Sequence, residues 1–158
     1  MRNIVSCLLS LICFGCFSVK ESSQLYQGGN LSVDFYLSRD VKAENVSKIP
    51  SNAKKFAIGK DFIELDRVDG KITAKLSHSL VYNEFTLPEK RKLSFIIGAD
   101  WQFKAFLNGA LIFDATKYGG KPLNHTYQVD CEGQAGKNLL TIEVIRGKAS
   151  SLFFAVKE

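Results

Sequence analysis

Residues 103–113 have the sequence FKAFLNGALIF, in which two apolar stretches are joined by Asn108-Gly109. Asparagine and glycine both tolerate positive φ, which a two-residue type I′ turn requires. This dipeptide between apolar stretches is the strongest short signal for a β-hairpin. We therefore predict two antiparallel strands here, at 103–107 and 111–113.

Alternating side chains extend the strand pattern over the rest of the chain. Leu31, Val33, Phe35 and Leu37 occupy every second position, a period of two that is typical of a half-buried strand. No segment has the pattern of an amphipathic helix. About nine or ten short strands, with turns every eight to twelve residues, are typical of an all-β antiparallel sandwich or jelly roll. The other predicted strands are 56–58, 62–65, 71–77, 80–87, 93–97, 125–131, 139–145 and 152–156, with a hairpin at 69–70, a bend at 98–101 and a turn at 133–138.

The composition is that of one ordinary globular domain. The chain has 158 residues, of which 46% are hydrophobic and 23% charged. This length corresponds to about one domain and is enough to bury a core without disulfides. The formal net charge is +5, but the basic runs at 54–55 and 90–92 are short. A solvated lysine surface explains them, so we expect no nucleic-acid partner.

The first residues are predicted to be an export signal. Arg2 precedes an almost unbroken apolar run over residues 4–17. This run is shorter than the ~20 residues that a membrane-spanning helix needs, and it fits the core of a signal peptide. We therefore divide the chain into a signal peptide at 1–18, a polar spacer at 19–29 and one β-sandwich domain at 30–158. The protein is expected to be exported.

The processing of this leader is open between alternatives. Residues 13–16, Cys-Phe-Gly-Cys, resemble a loose bacterial lipobox, in which a small residue precedes the lipidated cysteine. Lipidation of Cys16 would give a cell-envelope lipoprotein whose only membrane contact is its lipid anchor. Cleavage after Ser18 would release a secreted domain, and an uncleaved leader would be an anchor. Outside the leader the sequence has only Cys131, so no disulfide can form within the domain, and we expect a small buried side chain there.

The C-terminal half resembles a known sandwich family. An apolar strand leads into Gly-Ala-Asp-Trp at 98–101, the next strand ends at Asn108-Gly109, and Gly-Lys-Asn at 136–138 opens a strand of alternating aliphatic residues. This order is similar to that of the galactose-binding-like β-sandwich. The similarity covers residues 95–156, and the N-terminal half has no motif that aligns with the family.

The resemblance implies a binding function as well as a fold. Galactose-binding-like sandwiches occur as carbohydrate-binding modules and as accessory domains of glycoside hydrolases. Their shared pattern is a folding signature, so it names no particular sugar. PA14-type sandwiches are similar in carrying an aspartate at such a turn, where paired acidic residues often hold calcium. Here Trp101 follows Asp100, so that acidic pair is absent.

A candidate ligand site is formed by loop residues at one rim of the predicted sandwich. An exposed indole or phenol ring can stack on the apolar C–H face of a sugar, and nearby polar side chains can bond its hydroxyls. There are structural alternatives, because the two rings can instead cover one end of the core and the aspartate can cap a bend. The candidate residues are Asp100, Trp101, Lys117, Tyr118 and Asn124.

Catalysis is not expected. The sequence holds no nucleophile elbow, zinc-protease motif, P-loop or dinucleotide-binding motif. A small sandwich seldom has the cleft in which a hydrolase holds two catalytic carboxylates. No cofactor is expected, although a structural calcium bound by loop oxygens is left open.

Three functions are therefore compared. The favoured function is recognition of carbohydrate or a cell-surface glycan. A structural or protein-interaction domain is the alternative; its partner would be another exported protein, and it would present a flat apolar patch or an exposed strand edge. A small glycoside-active hydrolase is the third.

Overall fold

The computed structural model describes residues 30–39, 46–57, 63–70, 77–99, 102–118, 126–146 and 151–157. Within them the chain is mostly strand, with one short helix, α1 (Leu65–Asp69), and one 3₁₀ turn, η1 (Ala115–Tyr118). The strands are β1 (Asn30–Arg39), β2 (Lys54–Ala57), β3 (Ile63–Glu64), β4 (Ser77–Leu87), β5 (Arg91–Ala99), β6 (Gln102–Leu107), β7 (Ala110–Asp114), β8 (Tyr127–Gly133), β9 (Gly136–Arg146) and β10 (Ser151–Lys157).

These strands form two sheets. The larger sheet has the order β2-β1-β4-β9-β6-β7, and the smaller has the order β3-β10-β5-β8. All pairings within the described residues are antiparallel. The all-β sandwich that the alternation predicts is therefore confirmed.

Aromatic side chains join the two sheets across the core. On β5, Leu93, Phe95 and Ile97 point inward and are buried. The ring centre of Phe95 lies 6.4 Å from that of Phe85 on the larger sheet and 5.5 Å from that of Phe154 on its own sheet. Tilted and edge-on contacts at such distances are the favoured geometry of aromatic pairs. The core therefore fixes the face that β5 and β10 turn inward, and with it the face they turn outward.

Part of the outer face of the larger sheet is also buried. Leu80, Tyr82 and Thr141 lie on this face, and each is 0% exposed. The segment before β2 lies over it, because Thr141 Oγ1 donates a hydrogen bond of 2.8 Å to the carbonyl of Val46. Burial raises the pKa of Tyr82 to about 12. Surface available to a partner is therefore reduced here, whereas charged side chains on the outer face of the smaller sheet are exposed.

The turn between β6 and β7 matches the predicted hairpin. Asn108 and Gly109 have φ values of +52° and +82°, as a type I′ turn requires. The Asn108 side chain also accepts the N–H of Leu139 at 2.8 Å and donates to Asn138 Oδ1 at 3.0 Å. Gly136, with φ of +86°, supplies the predicted tight turn before β9.

The hairpin predicted at Asp69-Gly70 is wrong. Residues Leu65–Asp69 form α1, and Gly70 ends this helix with φ of +72°. Leu65 is fully buried in the core, and Asp66 forms a 2.9 Å ion pair with Arg39 of β1. These tertiary contacts favour a helical turn over the local strand pattern. Of the bend predicted at 98–101, Gly98 and Ala99 belong instead to β5, and residues 100 and 101 lie outside the described residues.

The leader and several loops are not part of this description. The predicted signal peptide, the spacer and Cys16 lie outside the described residues, as does most of the strand predicted at 71–77. Among the described helices, none is long and apolar enough to cross a membrane.

Candidate functional site

Most of the predicted rim site lies outside the described residues. Asp100, Trp101 and Asn124 are not among them. Tyr118 ends η1, and its side chain is also outside the described part. The rim site therefore stays a prediction. Of its five residues, the structure describes the side chain of Lys117 alone.

Lys117 is exposed in η1, directly after the β6–β7 hairpin. Asp114 holds this turn by accepting the backbone N–H of Thr116 at 3.0 Å and the Thr116 hydroxyl. The hydroxyl bond is the main reason that the pKa of the Asp114 carboxyl is lowered, with smaller contributions from Lys104 and Lys117. Side-chain to backbone bonds of this kind are typical of Asx turns. Lys117 is therefore presented on a defined turn.

A cluster of polar side chains lies on the outer face of the smaller sheet. β5, β8 and β10 are adjacent, and Ser94 of β5 pairs in register with Asp130 of β8 and Lys157 of β10. Lys92 pairs in the same way with Glu132. The cluster lines an open cleft of about 840 Å³. We call it the polar sheet face, and it comprises Lys92, Ser94, Gln128, Asp130, Glu132 and Lys157.

Hydrogen bonds connect the members of the polar sheet face. Lys157 Nζ donates to Gln128 Oε1 at 2.7 Å. Gln128 Nε2 in turn donates to both carboxylate oxygens of Asp130, at 3.0 and 3.2 Å. The orientation of the Gln128 amide follows from these partners, because an ammonium only donates and a carboxylate only accepts. Three exposed side chains from two non-adjacent strands are therefore ordered into one chain of hydrogen bonds.

The carboxylate of Asp130 remains ionised at neutral pH. The neighbouring Ser94 hydroxyl and then the hydrogen bonds from Gln128 lower the pKa of Asp130, and Lys157 contributes a smaller charge effect. Glu132 forms an ion pair of 2.6 Å with Lys90, just before β5. A general acid needs a raised pKa, so Asp130 has the opposite tuning.

An apolar strip adjoins the polar sheet face. Ile96 of β5 pairs in register with Gln128 on one side and Ala155 of β10 on the other. Phe153 lies two residues before Ala155, and each of these three apolar residues is half-buried. Because side chains two residues apart share one face of a strand, the strip and the polar residues lie on the same surface. The outer face therefore offers apolar atoms beside hydrogen-bonding groups.

The sequence contains part of the signal for this face. Gln128 and Asp130 alternate with Val129 and Cys131, which marks them as the outer side of a strand. That pattern alone is typical of a solvated face. The polar cluster forms because β5 and β10 lie in the same sheet as β8. Both strands are distant from β8 in sequence, so sequence reasoning missed the cluster.

A second groove, of about 310 Å³, lies beside the β6–β7 turn. Its central residue, Asn138, is 1% exposed. Asn138 accepts the N–H of Gln134 at 2.9 Å and donates to the carbonyls of Gln134 and Gly136 at 2.7 and 3.0 Å. With the bond from Asn108, both ends of the amide are occupied. These hydrogen bonds hold the β6–β7 turn against the turn before β9, so the groove has a structural explanation. We do not assign it a ligand.

Two further titratable groups stand apart from the polar hydrogen-bond chain. Glu143 is 2% exposed and accepts a 2.7 Å hydrogen bond from His78 Nδ1. Cys131 is half-buried, and burial raises the pKa of its thiol to about 11. A thiol of this kind behaves as a small apolar side chain. The expected small apolar side chain is confirmed in that Cys131 packs against the core, but it is half-buried rather than buried.

Metal binding stays untested at the loops. Within the described residues, no three His, Cys, Asp or Glu side chains are grouped so that they could hold a metal ion. The loop residues at 100–101 and 119–125 lie outside the described part of the chain. The structural calcium left open by the sequence therefore remains a prediction.

Comparison with known proteins identifies the fold. No family model matches the chain, and a search of curated proteins finds no match. Among solved structures, the chain is similar to a beta-glucosidase from Kluyveromyces marxianus in complex with glucose, with 11% identity, a TM-score of 0.51 and coverage of 79% of this chain. A selenomethionine-labelled form of that beta-glucosidase gives 12% identity, a TM-score of 0.50 and 78% coverage.

The match covers only a small part of the larger enzyme. This chain spans 16% of the length of the beta-glucosidase in the glucose complex and 14% of the labelled form. A GH31 alpha-xylosidase from Xanthomonas citri also matches, at 11% identity, a TM-score of 0.38 and coverage of 77% of this chain and 13% of the enzyme. At these identities the similarity to the beta-glucosidase shows a shared β-sandwich fold alone.

Proposed function

We propose that this chain is an exported, non-catalytic module that binds carbohydrate through the polar sheet face. One observation carries the proposal: Lys157, Gln128 and Asp130 form an ordered chain of hydrogen bonds on an open sheet surface. Side chains ordered before a ligand arrives lose less conformational entropy on binding. The predicted rim residues would add contacts at the edge of the sandwich.

The chemistry of the surface supports a sugar ligand. A sugar presents hydroxyl groups that both donate and accept, beside flat C–H faces that are apolar. Asp130 accepts, Lys157 donates, and Gln128 does both. Ile96 and Phe153 supply apolar atoms on the same face. The β-sandwich fold shared with part of a beta-glucosidase is compatible with a domain that accompanies glycan-degrading enzymes, as the resemblance to galactose-binding-like domains implies.

The electrostatics of the face support binding over hydrolysis. A glycoside hydrolase needs one carboxylic acid that stays protonated to donate its proton. The pKa of Asp130 is instead lowered, and Glu132 is paired with Lys90. Asp130 is therefore not suited to the role of proton donor, which is why we propose a binding module.

One observation favours a protein-interaction domain as the second candidate. Leu111 of β7 is 53% exposed and pairs in register with the half-buried Phe106 of β6, at an edge of the larger sheet. An exposed apolar pair beside a strand edge can meet another protein. It consists of two side chains, whereas six residues form the polar sheet face, which is why we place it second.

A glycan array tests the proposal with four proteins: wild type, Gln128→Ala, Trp101→Ala and the control Lys137→Ala. Gln128 is exposed, so its truncation is expected to leave stability within about 0.5 kcal/mol of wild type. It should weaken binding about tenfold, because it removes a central donor and acceptor. Lys137, whose side chain is 79% exposed on β9, should have no effect.

The outcomes separate the hypotheses. Binding that is lost with Gln128→Ala and kept with Lys137→Ala supports the polar sheet face. Loss confined to Trp101→Ala would move the site to the rim loops. If wild type binds no glycan, the carbohydrate function is wrong, and capture of an exported protein that depends on Leu111 becomes the hypothesis to pursue.

Export has its own test. Expression in a bacterial host with labelled palmitate should label the wild type and leave Cys16→Ala unlabelled if the lipobox is used. Release of an unlabelled protein whose N-terminus is Val19 would instead show cleavage after Ser18.

A further inference from the structure

The charges on the polar sheet face narrow the class of glycan. The whole chain has a formal charge of +5, which by itself would favour an acidic polymer. The face differs from this average, because the carboxylates of Asp130 and Glu132 offset two of the three positive charges of Lys90, Lys92 and Lys157. We infer that the ligand of this face is an uncharged oligosaccharide lying across β8, β5 and β10. This deepens the proposed function and rests on it.

The two carboxylates disfavour an anionic sugar. Asp130 and Glu132 are two residues apart on β8, so both project from the same side of the strand. The lowered pKa of Asp130 keeps it negative at neutral pH. A uronate or sulfate placed over β8 would face Asp130, whose hydrogen-bond donor Gln128 is uncharged, beside Glu132, whose charge Lys90 offsets. A hydroxyl can donate to either carboxylate. The local charge pattern therefore opposes the attraction that the net charge predicts.

The mixture of donors and acceptors fits hydroxyl groups. An anion is bound by donors alone, and a cation by acceptors alone. On this face Lys157 donates, Asp130 accepts, and Gln128 does both. A sugar hydroxyl that donates to Asp130 and accepts from Lys157 would use both partners at once. An uncharged polyol is the ligand class that matches all three groups.

The position of the apolar strip sets the orientation of the ligand. Ile96 and Ala155 are neighbours in register and lie two residues from Ser94 and Lys157, respectively. The apolar and polar bands thus run side by side across the strands. A sugar chain placed along the bands would lay C–H groups on Ile96 and Ala155 and turn hydroxyls towards Asp130 and Lys157.

The width of the face indicates more than one sugar unit. Three adjacent strands place the outer two ~10 Å apart, at ~4.8 Å per strand spacing. This is wider than a single pyranose ring. We therefore expect a disaccharide or longer chain to bind more tightly than its monosaccharide, because the latter can reach only part of the face.

Affinity gel electrophoresis with matched polysaccharides tests the charge class. Hydroxyethyl cellulose and carboxymethyl cellulose share a backbone and differ in charge, and dextran and dextran sulfate form a second pair. A third pair is made from the best neutral ligand of the glycan array by carboxymethylation. We expect the neutral member of at least one pair to retard the wild type and Lys137→Ala, and Gln128→Ala to lose about 90% of that retardation. The charged member should retard the wild type at least about tenfold less.

Salt provides a second readout. Raising NaCl from about 0.1 M to about 1 M shortens the Debye length from ~10 to ~3 Å. Binding of a neutral glycan should change less than about twofold over this range, whereas binding of an anionic polymer falls steeply.

The failures are distinguishable. Stronger binding of the charged member, with loss at high salt, would overturn the uncharged-glycan inference and leave carbohydrate binding standing. Retardation that is unchanged by Gln128→Ala would overturn this placement of the ligand. Absence of retardation by all polysaccharides, together with an empty array, would overturn the proposed function itself.

Discussion

Lys157 on β10 and Gln128 on β8 are in direct contact although another strand lies between them. Their Nζ and Oε1 atoms are 2.7 Å apart, and β5 separates the two strands in the sheet. With strands ~4.8 Å apart, the two side chains together bridge ~10 Å above β5. The contact holds the Gln128 amide in the orientation in which its N–H groups point to Asp130. The Lys157 side chain is long enough to reach across β5, and its hydrogen bond thereby orders the exposed side chain of Gln128.

A double-mutant cycle should detect this organisation. Gln128→Ala and Lys157→Met each remove one end of the contact, and each should weaken binding of the neutral glycan about tenfold. The double variant should lose less than the sum of the two, with a coupling of about 0.5–1 kcal/mol, because the lysine is already disordered when the amide is absent. Titration calorimetry measures all four affinities.

The control for this cycle is Lys137→Met combined with Gln128→Ala. Lys137 is another exposed lysine, and its distance to Glu84 is 3.6 Å. This pair should be additive within about 0.3–0.5 kcal/mol. Strict additivity of Lys157→Met with Gln128→Ala would mean that the hydrogen bond does not order the site.

The pKa of Asp130 determines the lowest pH at which we expect the ligand affinity to be maintained. In the folded state this pKa is lowered below the ordinary value of an aspartate, first by Ser94 and then by Gln128. A depressed pKa means that the carboxylate, and the hydrogen bonds it accepts, are present at pH values above 3.8 and are lost as the pH falls through the lower folded value. Affinity should therefore be constant from neutral pH down to about pH 5. Asp130→Asn removes the charge and should weaken binding at neutral pH.

Calorimetry at a series of pH values checks this prediction, with circular dichroism to confirm that the fold persists. A decline in affinity that begins near neutral pH would assign the titration to another group and contradict the role of Asp130.

The sequence predicts the strands better than their connections. Asn108-Gly109 specifies a turn through local φ preferences, and the structure has that turn. Asp69-Gly70 carries a similar local signal, yet Gly70 ends a helix there. The difference arises because Leu65 and Asp66 have partners far away in sequence, a buried core and Arg39. Local propensity is a weak guide where tertiary contacts compete with it.

The polar sheet face was not predictable for a related reason. Alternation assigns Gln128 and Asp130 to the outer side of a strand, and Lys157 to the end of another. It does not say that β8 and β10 flank the same neighbour. Many sheet orders are compatible with one strand pattern, and only the observed order brings Lys157 to Gln128. Rim residues such as Trp101 were easier to propose, because loop aromatics stand out in sequence.

Gly109 is predicted to be the more sensitive of two positive-φ glycines. A Cβ at Gly109 would lie 2.5 Å from Ser47 Oγ, whereas a Cβ at Gly136 would meet nothing within 4 Å. Gly136→Ala should therefore cost only the backbone strain, about 1–2 kcal/mol. Gly109→Ala should cost that amount and, because the Ser47 hydroxyl must rotate away, a smaller steric term of about 0.5–1.5 kcal/mol in addition. Urea denaturation of both variants gives the comparison.

Substitution of Ser47 separates the two costs of Gly109→Ala, which are backbone strain and a steric clash. Ser47→Ala removes the hydroxyl and leaves Cβ, which is 3.5 Å from the added methyl group, an ordinary contact. In the Ser47→Ala background, Gly109→Ala should cost about as much as Gly136→Ala does. An undiminished cost would place the clash elsewhere and show that the segment before β2 does not pack on this turn.

His78 and Glu143 form a pair whose two members should behave differently when substituted. Glu143 is 2% exposed, and one of its oxygens accepts from His78 Nδ1 at 2.7 Å. The other oxygen is buried and has no hydrogen-bond partner among the described residues. Since an ionised carboxylate only accepts, Nδ1 must carry the proton. Among the described residues, the bond from His78 is therefore the one hydrogen bond on this buried carboxylate.

Removing the donor should cost more than removing the charge. His78→Ala leaves the carboxylate of Glu143 buried without its partner and should destabilise the protein by about 1.5–3 kcal/mol. Glu143→Gln keeps an acceptor for His78 and eliminates the buried charge, so it should change stability by less than about 1 kcal/mol. Combining His78→Ala with Glu143→Gln should recover part of the loss from His78→Ala, because no charge is then stranded. Urea unfolding at pH 7 measures the four proteins, with Lys137→Ala as the exposed control. A cost below about 0.5 kcal/mol for His78→Ala would show that water or another group already serves the carboxylate.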